Sequence, residues 1–269
     1  MLQLLPDRSA LALFCLFPLS QLATALAATG AIACQGPRSR GTLLVYLAWA
    51  WLLDKAPRRG GYALLRRLGL TDWLRAAPWW RWSASYFPVR LRPTVALPAT
   101  DGPYIFVCHP HGIFGIGAMA SFGTDGTGFS AAFPGLFVHL LGHDAIFRIP
   151  LLREWCLIHG CGAVDRGTCQ RLLGEGRSIA LAPGGAKESL ECEPGTMRLF
   201  LKSRKGYAKL ALRTGAALVP VLSFGENELF GTVQFAKGTW CRRLQDGLQS
   251  SLGWALPFFC GRPWMPLIP

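Results

Sequence analysis

The chain has 269 residues, of which 51% are hydrophobic and only 16% charged, and a formal net charge of +13. Ordinary soluble domains carry about 25% charged residues, so a chain both apolar and basic points to a greasy, anionic partner such as a phospholipid surface or an acyl-CoA. Nucleic acid would account for the charge but not the hydrophobicity. The nine cysteines, an odd number with no repeated CxxC, argue against a disulfide framework and a zinc ribbon. They read as small buried apolar residues in a reducing compartment.

No charged residue lies between Arg8 and Arg38, and the run Ser9 to Cys34 is long enough to cross about 30 Å of hydrocarbon. A second apolar stretch, Thr42 to Leu53, would reach about 18 Å as a helix, which suits a short span or the return arm of a re-entrant hairpin. From Lys55 to Arg92 basic residues face a single acid, Asp72. That excess places the segment on the cytoplasmic side. Interleaved with Trp73, Trp79, Trp80, Trp82, Tyr86 and Phe87, it reads as helix and loop in the headgroup layer. The plainer alternative is a solvated basic face with scattered core aromatics. A signal peptide over residues 10–27, cleaved near Ala27, would instead release a lumenal or secreted protein, such as a hydrolase. The second apolar stretch and the basic segment behind it argue against that reading.

From residue 101 the texture changes. Pro103 to Cys108, Ser178 to Ala182 and Ala217 to Phe224 are short apolar runs bounded by turn residues, as expected of buried strands. Lys205 to Thr214 predicts a helix with Tyr207, Leu210 and Ala211 on one face and Gly215 as its C-terminal cap. Alternating strands and helices imply an α/β fold with a mainly parallel sheet covered by helices. In such sheets chemistry gathers where strands end.

Two motifs sit at such ends. His109-Pro110-His111-Gly112 follows the first strand. A histidine there can act as general base near neutral pH, while two histidines one residue apart equally suit a metal or a structural role. Gly112 permits close approach of main-chain N–H groups. Ala182-Pro183-Gly184-Gly185-Ala186-Lys187-Glu188-Ser189 follows the strand at Ser178. Its glycines expose N–H groups able to hold an anion or a developing oxyanion, Glu188 can orient a histidine, and Lys187 can attract phosphate; an ordinary tight turn is the competing reading. No nucleotide-binding GxGxxG, Walker motif or GxSxG is present. The basic run Arg198, Lys202, Arg204, Lys205 and Lys209 suits the phosphates of CoA or lipid headgroups, or a solvated helix face. His139, His143 and His159 read as incidental.

With these motifs, the segments DKAPRRGG (54–61), YFPVRL (86–91), YIFVCHPHGIFGIG (104–117), FPGL (133–136), FRIPLLREW (147–155), GGAKESL (184–190) and RKGYAKLALRTGAALVPVLSFGENELF (204–230) resemble the type-two diacylglycerol acyltransferase family, which includes monoacylglycerol and wax-alcohol acyltransferases. The resemblance implies a membrane hairpin at 1–55, a basic and aromatic interfacial segment at 56–100 and a glycerolipid-acyltransferase-like domain at 101–269. It implies transfer of a fatty acyl group from acyl-CoA to mono- or diacylglycerol or a long-chain alcohol, in neutral-lipid and triacylglycerol synthesis. The implied location is the endoplasmic reticulum membrane, with the catalytic domain on the cytosolic side, and lipid droplets. Mapped residue by residue, His111 is the expected general base, His109 its close support and Glu188 the group that orients the histidine or returns its proton. Backbone N–H groups at Gly112, Gly184 and Gly185 would stabilise the oxyanion, and Lys187, Arg204 and Lys205 would meet acyl-CoA or phosphate. Acyl-CoA is a co-substrate; no other cofactor, metal, covalent acyl-enzyme or nucleic acid is implied. Membrane lipids are expected partners, and a homo-oligomer is left open. Lys187 departs from the small or uncharged residue usual in the family. The chain stops at CGRPWMPLIP, where members continue, so a C-terminally shortened domain is expected. The alternative function is an inactive family member that only binds membrane or lipid.

Overall fold

A computed structural model describes residues 18–253 and 255–261. Among the described residues seven strands occur in chain order: β1 (Tyr104–His109), β2 (Val138–Gly142), β3 (Gly162–Ala163), β4 (Ser178–Leu181), β5 (Ala217–Leu222), β6 (Gly231–Val233) and β7 (Phe258–Cys260). The chain clusters into two compact units, Met1–Tyr104 with Met119–Ala180, and Ile105–Ala118 with Leu181–Pro269.

In the first unit the N-terminal apolar stretch forms α1 (Pro18–Cys34), followed by α2 (Pro37–Ala48) and a π turn over Trp49–Leu53. Pro37 sits in the first turn of α2, where its missing N–H would have lacked a helical partner anyway. The two helices pack on each other, and Arg40 Nε donates to the Ala33 carbonyl at 2.9 Å across the turn. No helix among the described residues is long and apolar enough to cross a membrane. The expected membrane hairpin is therefore not shown among the described residues: α1 has 17 residues and α2 has 12, with Arg38 and Arg40 near its start. Residues 9–17 of the expected span lie outside the described residues. Leu44, Val45, Trp51, Leu52 and Leu53 are exposed.

The basic and aromatic segment forms short helices, among them α3 (Leu70–Arg75) and α4 (Pro78–Tyr86). Trp73 and Trp82 are exposed, as an interfacial segment requires, but Arg75 and Trp80 are core residues. Arg75 Nε and Nη2 donate to the carbonyls of Gly123, Phe122 and Val138, and Trp80 Nε1 donates to that of Leu74 at 2.8 Å. A buried polar group needs such partners, and hydropathy could not foresee them.

Helix α5 (Leu152–Ile158) presents Arg153, whose side chain is fully buried. Its guanidinium donates to Asp54 Oδ2 at 2.5 Å, to Glu154 Oε1 at 2.6 Å and to the Phe147 carbonyl at 3.2 Å. Two carboxylates compensate a charge that would otherwise be costly to bury. They also join the DKAPRRGG and FRIPLLREW segments. Gly61, at φ +93°, lies so close to α5 that a Cβ would stand 2.4 Å from the Leu157 carbonyl oxygen. Helix α6 (Arg166–Gly174) begins at Asp165, whose side chain accepts from Thr168 N at 3.0 Å. Strand β2 pairs parallel with both β3 and β4, as expected of the α/β alternation.

In the second unit every residue of β1 is buried, and β1 neighbours β5. Helix α7 (Gly185–Leu190) opens within the glycine motif, and α8 (Gly206–Thr214) ends at Gly215 in the left-handed region, as its sequence predicts. Leu210 and Ala211 are buried on the predicted face. The chain then forms β6, α9 (Trp240–Leu252) and β7, with β6 and β7 antiparallel. Phe114, Phe230 and Phe259 stack edge to face at centroid distances of 5.0–5.5 Å.

Gly61→Ala is expected to cost about 2 kcal/mol or more, because a strained φ and a backbone clash coincide. Gly174→Ala, where a Cβ meets nothing within 4 Å, should be neutral or slightly stabilising. Unfolding midpoints of the detergent-solubilised variants test this, and equal midpoints would contradict the packing described.

Candidate active site

The two motifs meet in the second unit around one carboxylate. Glu188, on α7, is 3% exposed. Its Oε1 accepts from His109 Nδ1 at 3.2 Å and from Phe200 N at 2.9 Å, and its Oε2 accepts from His111 N at 2.9 Å. Burial raises the Glu188 pKa, but the hydrogen bonds from His109, Phe200 and His111 outweigh it, so the carboxyl lies below its usual range. Gly184 makes this fold-back feasible, since a Cβ there would lie 1.9 Å from Glu188 Cδ. Gly185 has φ +51° and opens the helix.

The imidazoles face different partners. A carboxylate can only accept, so His109 carries its proton on Nδ1 when neutral. Its Nε2 is buried and has no hydrogen-bond partner among the described residues. His111 is half-buried; its Nδ1 lies 3.0 Å from the Gly112 carbonyl and 2.9 Å from Ser189 Oγ. Ser189 Oγ also donates to that carbonyl at 2.8 Å. Burial lowers the His111 pKa, against the raising influence of Gly112 and Glu188. Neighbouring positions on α7 thus serve separate ends: Glu188 holds the His109 ring, and Ser189 holds the His111 ring.

Lys187 Nζ lies 4.4 Å from the Phe200 ring centroid, a cation–π contact. Arg204 and Lys205 are exposed just before α8. His139 and His159, read as incidental, are structural and belong to the first unit. His139 Nδ1 donates to the Gly160 carbonyl at 2.8 Å while its Nε2 accepts from Arg177. Burial and neighbouring arginines push its pKa down to about 3. His159 is packed against Trp80 and Trp155.

A protein-family model described as "Diacylglycerol acyltransferase" matches residues 37–267. The chain belongs to the diacylglycerol acyltransferase family. It is 42% identical to Diacylglycerol O-acyltransferase 2A of Umbelopsis ramanniana, over 82% of this chain and 61% of that protein. It is also 42% identical to Diacylglycerol O-acyltransferase 2 of Danio rerio, over 81% of this chain and 59% of that protein. For the Homo sapiens protein of the same name the identity is 42%, over 82% and 56%. The chain thus spans about three-fifths of the length of these relatives. No solved structure matches it.

Reading motifs in this family member missed Ser189 and Glu226. Glu226 is buried; its Oε1 accepts from Ile116 N at 2.7 Å and its Oε2 from Gly117 N at 2.9 Å. The available signal was a pair of acids, Glu226 and Glu228, just after the apolar strand β5. Desolvation pushes the Glu226 pKa up to about 7 despite the lowering effect of those two N–H groups. Its charge is felt by the thiols of Cys108 and Cys192, which burial first and then Glu226 push up to about 12 and about 11.

A carboxyl whose folded pKa of about 7 exceeds its ordinary 4.5 favours folding while protonated. Its contribution is full below about pH 4.5 and is lost as pH rises through about 7. Relative to Glu226→Gln, the wild-type chain should lose up to roughly 3 kcal/mol of stability between pH 5 and 8. Urea unfolding at pH 5, 6, 7 and 8 measures the difference, and parallel pH curves would refute it.

Proposed function

We propose that this chain transfers a fatty acyl group from acyl-CoA to a lipid hydroxyl, with diacylglycerol the first acceptor to test. The observation that carries the reading is the His109 ring, gripped at Nδ1 by the buried Glu188 carboxylate and left at Nε2 without a partner. Buried polar atoms are nearly always paired, and an orphan at a carboxylate-held imidazole is what a waiting base requires. The names of the relatives, each a diacylglycerol O-acyltransferase, support the same chemistry.

In this mechanism His109 Nε2 takes the proton of the acceptor hydroxyl as its oxygen attacks the thioester carbonyl. The tetrahedral oxyanion is met by N–H groups of the Gly112 turn or of Gly184 and Gly185. Collapse breaks the carbon–sulfur bond, and the proton passes from His109 to the departing CoA thiolate. The products are an ester and free CoA. Glu188 stabilises the transient imidazolium, so the two imidazoles exchange the roles that the motif alone suggests: His109 is the base, and His111 lines the approach and fixes the turn. Lys187, Arg204 and Lys205 supply positive charge for the CoA phosphates. Monoacylglycerol and fatty alcohols present the same hydroxyl and are secondary acceptors. The exposed Leu44, Val45, Trp51, Leu52 and Leu53 would rest in a membrane, for which the cytosolic face of the endoplasmic reticulum and lipid droplets are the proposed sites.

Microsomes expressing the chain in a host without neutral-lipid acyltransferases, given labelled oleoyl-CoA and each acceptor, test this. His109→Ala should lower kcat at least 100-fold and Glu188→Gln about 10- to 100-fold, with His111→Ala less damaging than His109→Ala. A larger loss in His111→Ala would return the base to His111. Absence of product from stable, membrane-bound wild-type chain would instead favour a family member that only binds lipid.

A further inference from the structure

Resting on the acyl-transfer reading above, we infer that Glu226 is a positioning residue that holds the histidine turn in its working geometry. Both of its oxygens are committed to consecutive N–H groups, those of Ile116 and Gly117, so it is built to hold backbone and not to exchange protons with substrate. It also backs directly onto Gly112, where a Cβ would stand 2.6 Å from Glu226 Cγ. Gly112 is the residue whose carbonyl receives His111 Nδ1 and Ser189 Oγ. The carboxylate therefore touches the turn that sets the His111 ring, without touching the ring itself.

The segment carrying Glu226 is fixed at several points. Ser223 N donates to the His109 carbonyl at 2.7 Å, tying the end of β5 to the first histidine. Asn227 Oδ1 accepts from Cys192 Sγ at 3.3 Å, and its Nδ2 donates to the Thr196 carbonyl at 2.9 Å. Glu228 accepts from Gly195 N through both oxygens. Residues 223–228 thus clamp the first motif and the segment following the second motif. Glu226 is the member of that clamp that reaches past His111.

Two variants test the role. Glu226→Gln replaces one acceptor with an NH2 group that faces a backbone N–H. Gly117→Ala keeps the charge and pries one oxygen away, since its Cβ would lie 2.9 Å from Oε2. Three readouts apply to the full chain in detergent micelles or microsomes: amide exchange at Ile116 and Gly117, the rate of histidine carbethoxylation, and kcat and KM for acyl transfer. Both variants should lose amide protection, alter the carbethoxylation rate of His111, and lose about 10-fold in kcat with KM for acyl-CoA unchanged. Lost protection with unchanged kcat and unchanged histidine reactivity would overturn the inference, because Glu226 would then only stabilise the fold. A wild-type chain without transferase activity would sink the acyl-transfer reading alone; the carbethoxylation rates would still decide whether Glu226 positions His111.

Discussion

A carboxylate taken out of water costs several kcal/mol unless donors replace its hydration, and Glu188 meets that demand with three donors from two places in the chain. The His109 ring, the His111 N–H and the Phe200 N–H all converge on it. Because the donors lie on two segments far apart in sequence, satisfying one charge ties the histidine motif and the segment at Phe200 to α7 at once. Gly184 must lack a side chain for Glu188 to lie back over it, and Ser189 is carried along to the second ring. The arrangement follows from a single electrostatic requirement, and the orientation of both histidines follows from the arrangement.

The first unit solves a related problem with the opposite charge. Arg153 is fully buried between Asp54 and Glu154. Arg66 and Arg75 rest on the Phe137 ring at 4.1 and 4.2 Å, where a π face takes the place of a counter-ion. Burial and the nearby Arg177 pull the Arg66 pKa down, and burial brings that of Arg75 to about 10. This chain's basic character is thus partly spent inside: Arg75 and Arg153 do not contribute to a positive surface, although composition counts them with residues that do.

The sequence made the strands β1 and β4 and helix α8 legible, because each couples an apolar run or period to clear turn residues; it also located β5, which is largely exposed where a buried strand is expected. It also exposed both motifs of the candidate site, whose short spacing keeps their residue types together. It could not show that Glu188 would meet the ring of His109 and only the backbone of His111, since that depends on how α7 is rotated. Glu226 stayed hidden for a similar reason: its partners are main-chain N–H groups, which leave no mark in residue types. The aromatic segment misled in part because Trp80 and Trp82 are equally apolar on paper, while Trp80 is buried with its indole N–H on the Leu74 carbonyl and Trp82 is exposed. The N-terminal helices α1 and α2 break at Gly36 and Pro37, between the two apolar stretches that hydropathy picks out.

The separation of the partners along the chain bears on synthesis. His111 N is paired with a residue 77 positions later, and Ile116 N with one 110 positions later. As the chain leaves the ribosome, the histidine turn emerges with neither carboxylate yet made. Domains form as units and ordered contacts wait for their later halves, so this centre is assembled only after residue 226 is free to dock. The turn spends that interval with its N–H groups solvated and its rings unaimed. A newly made chain therefore carries both histidines without their shared geometry until residues 223–228 have docked.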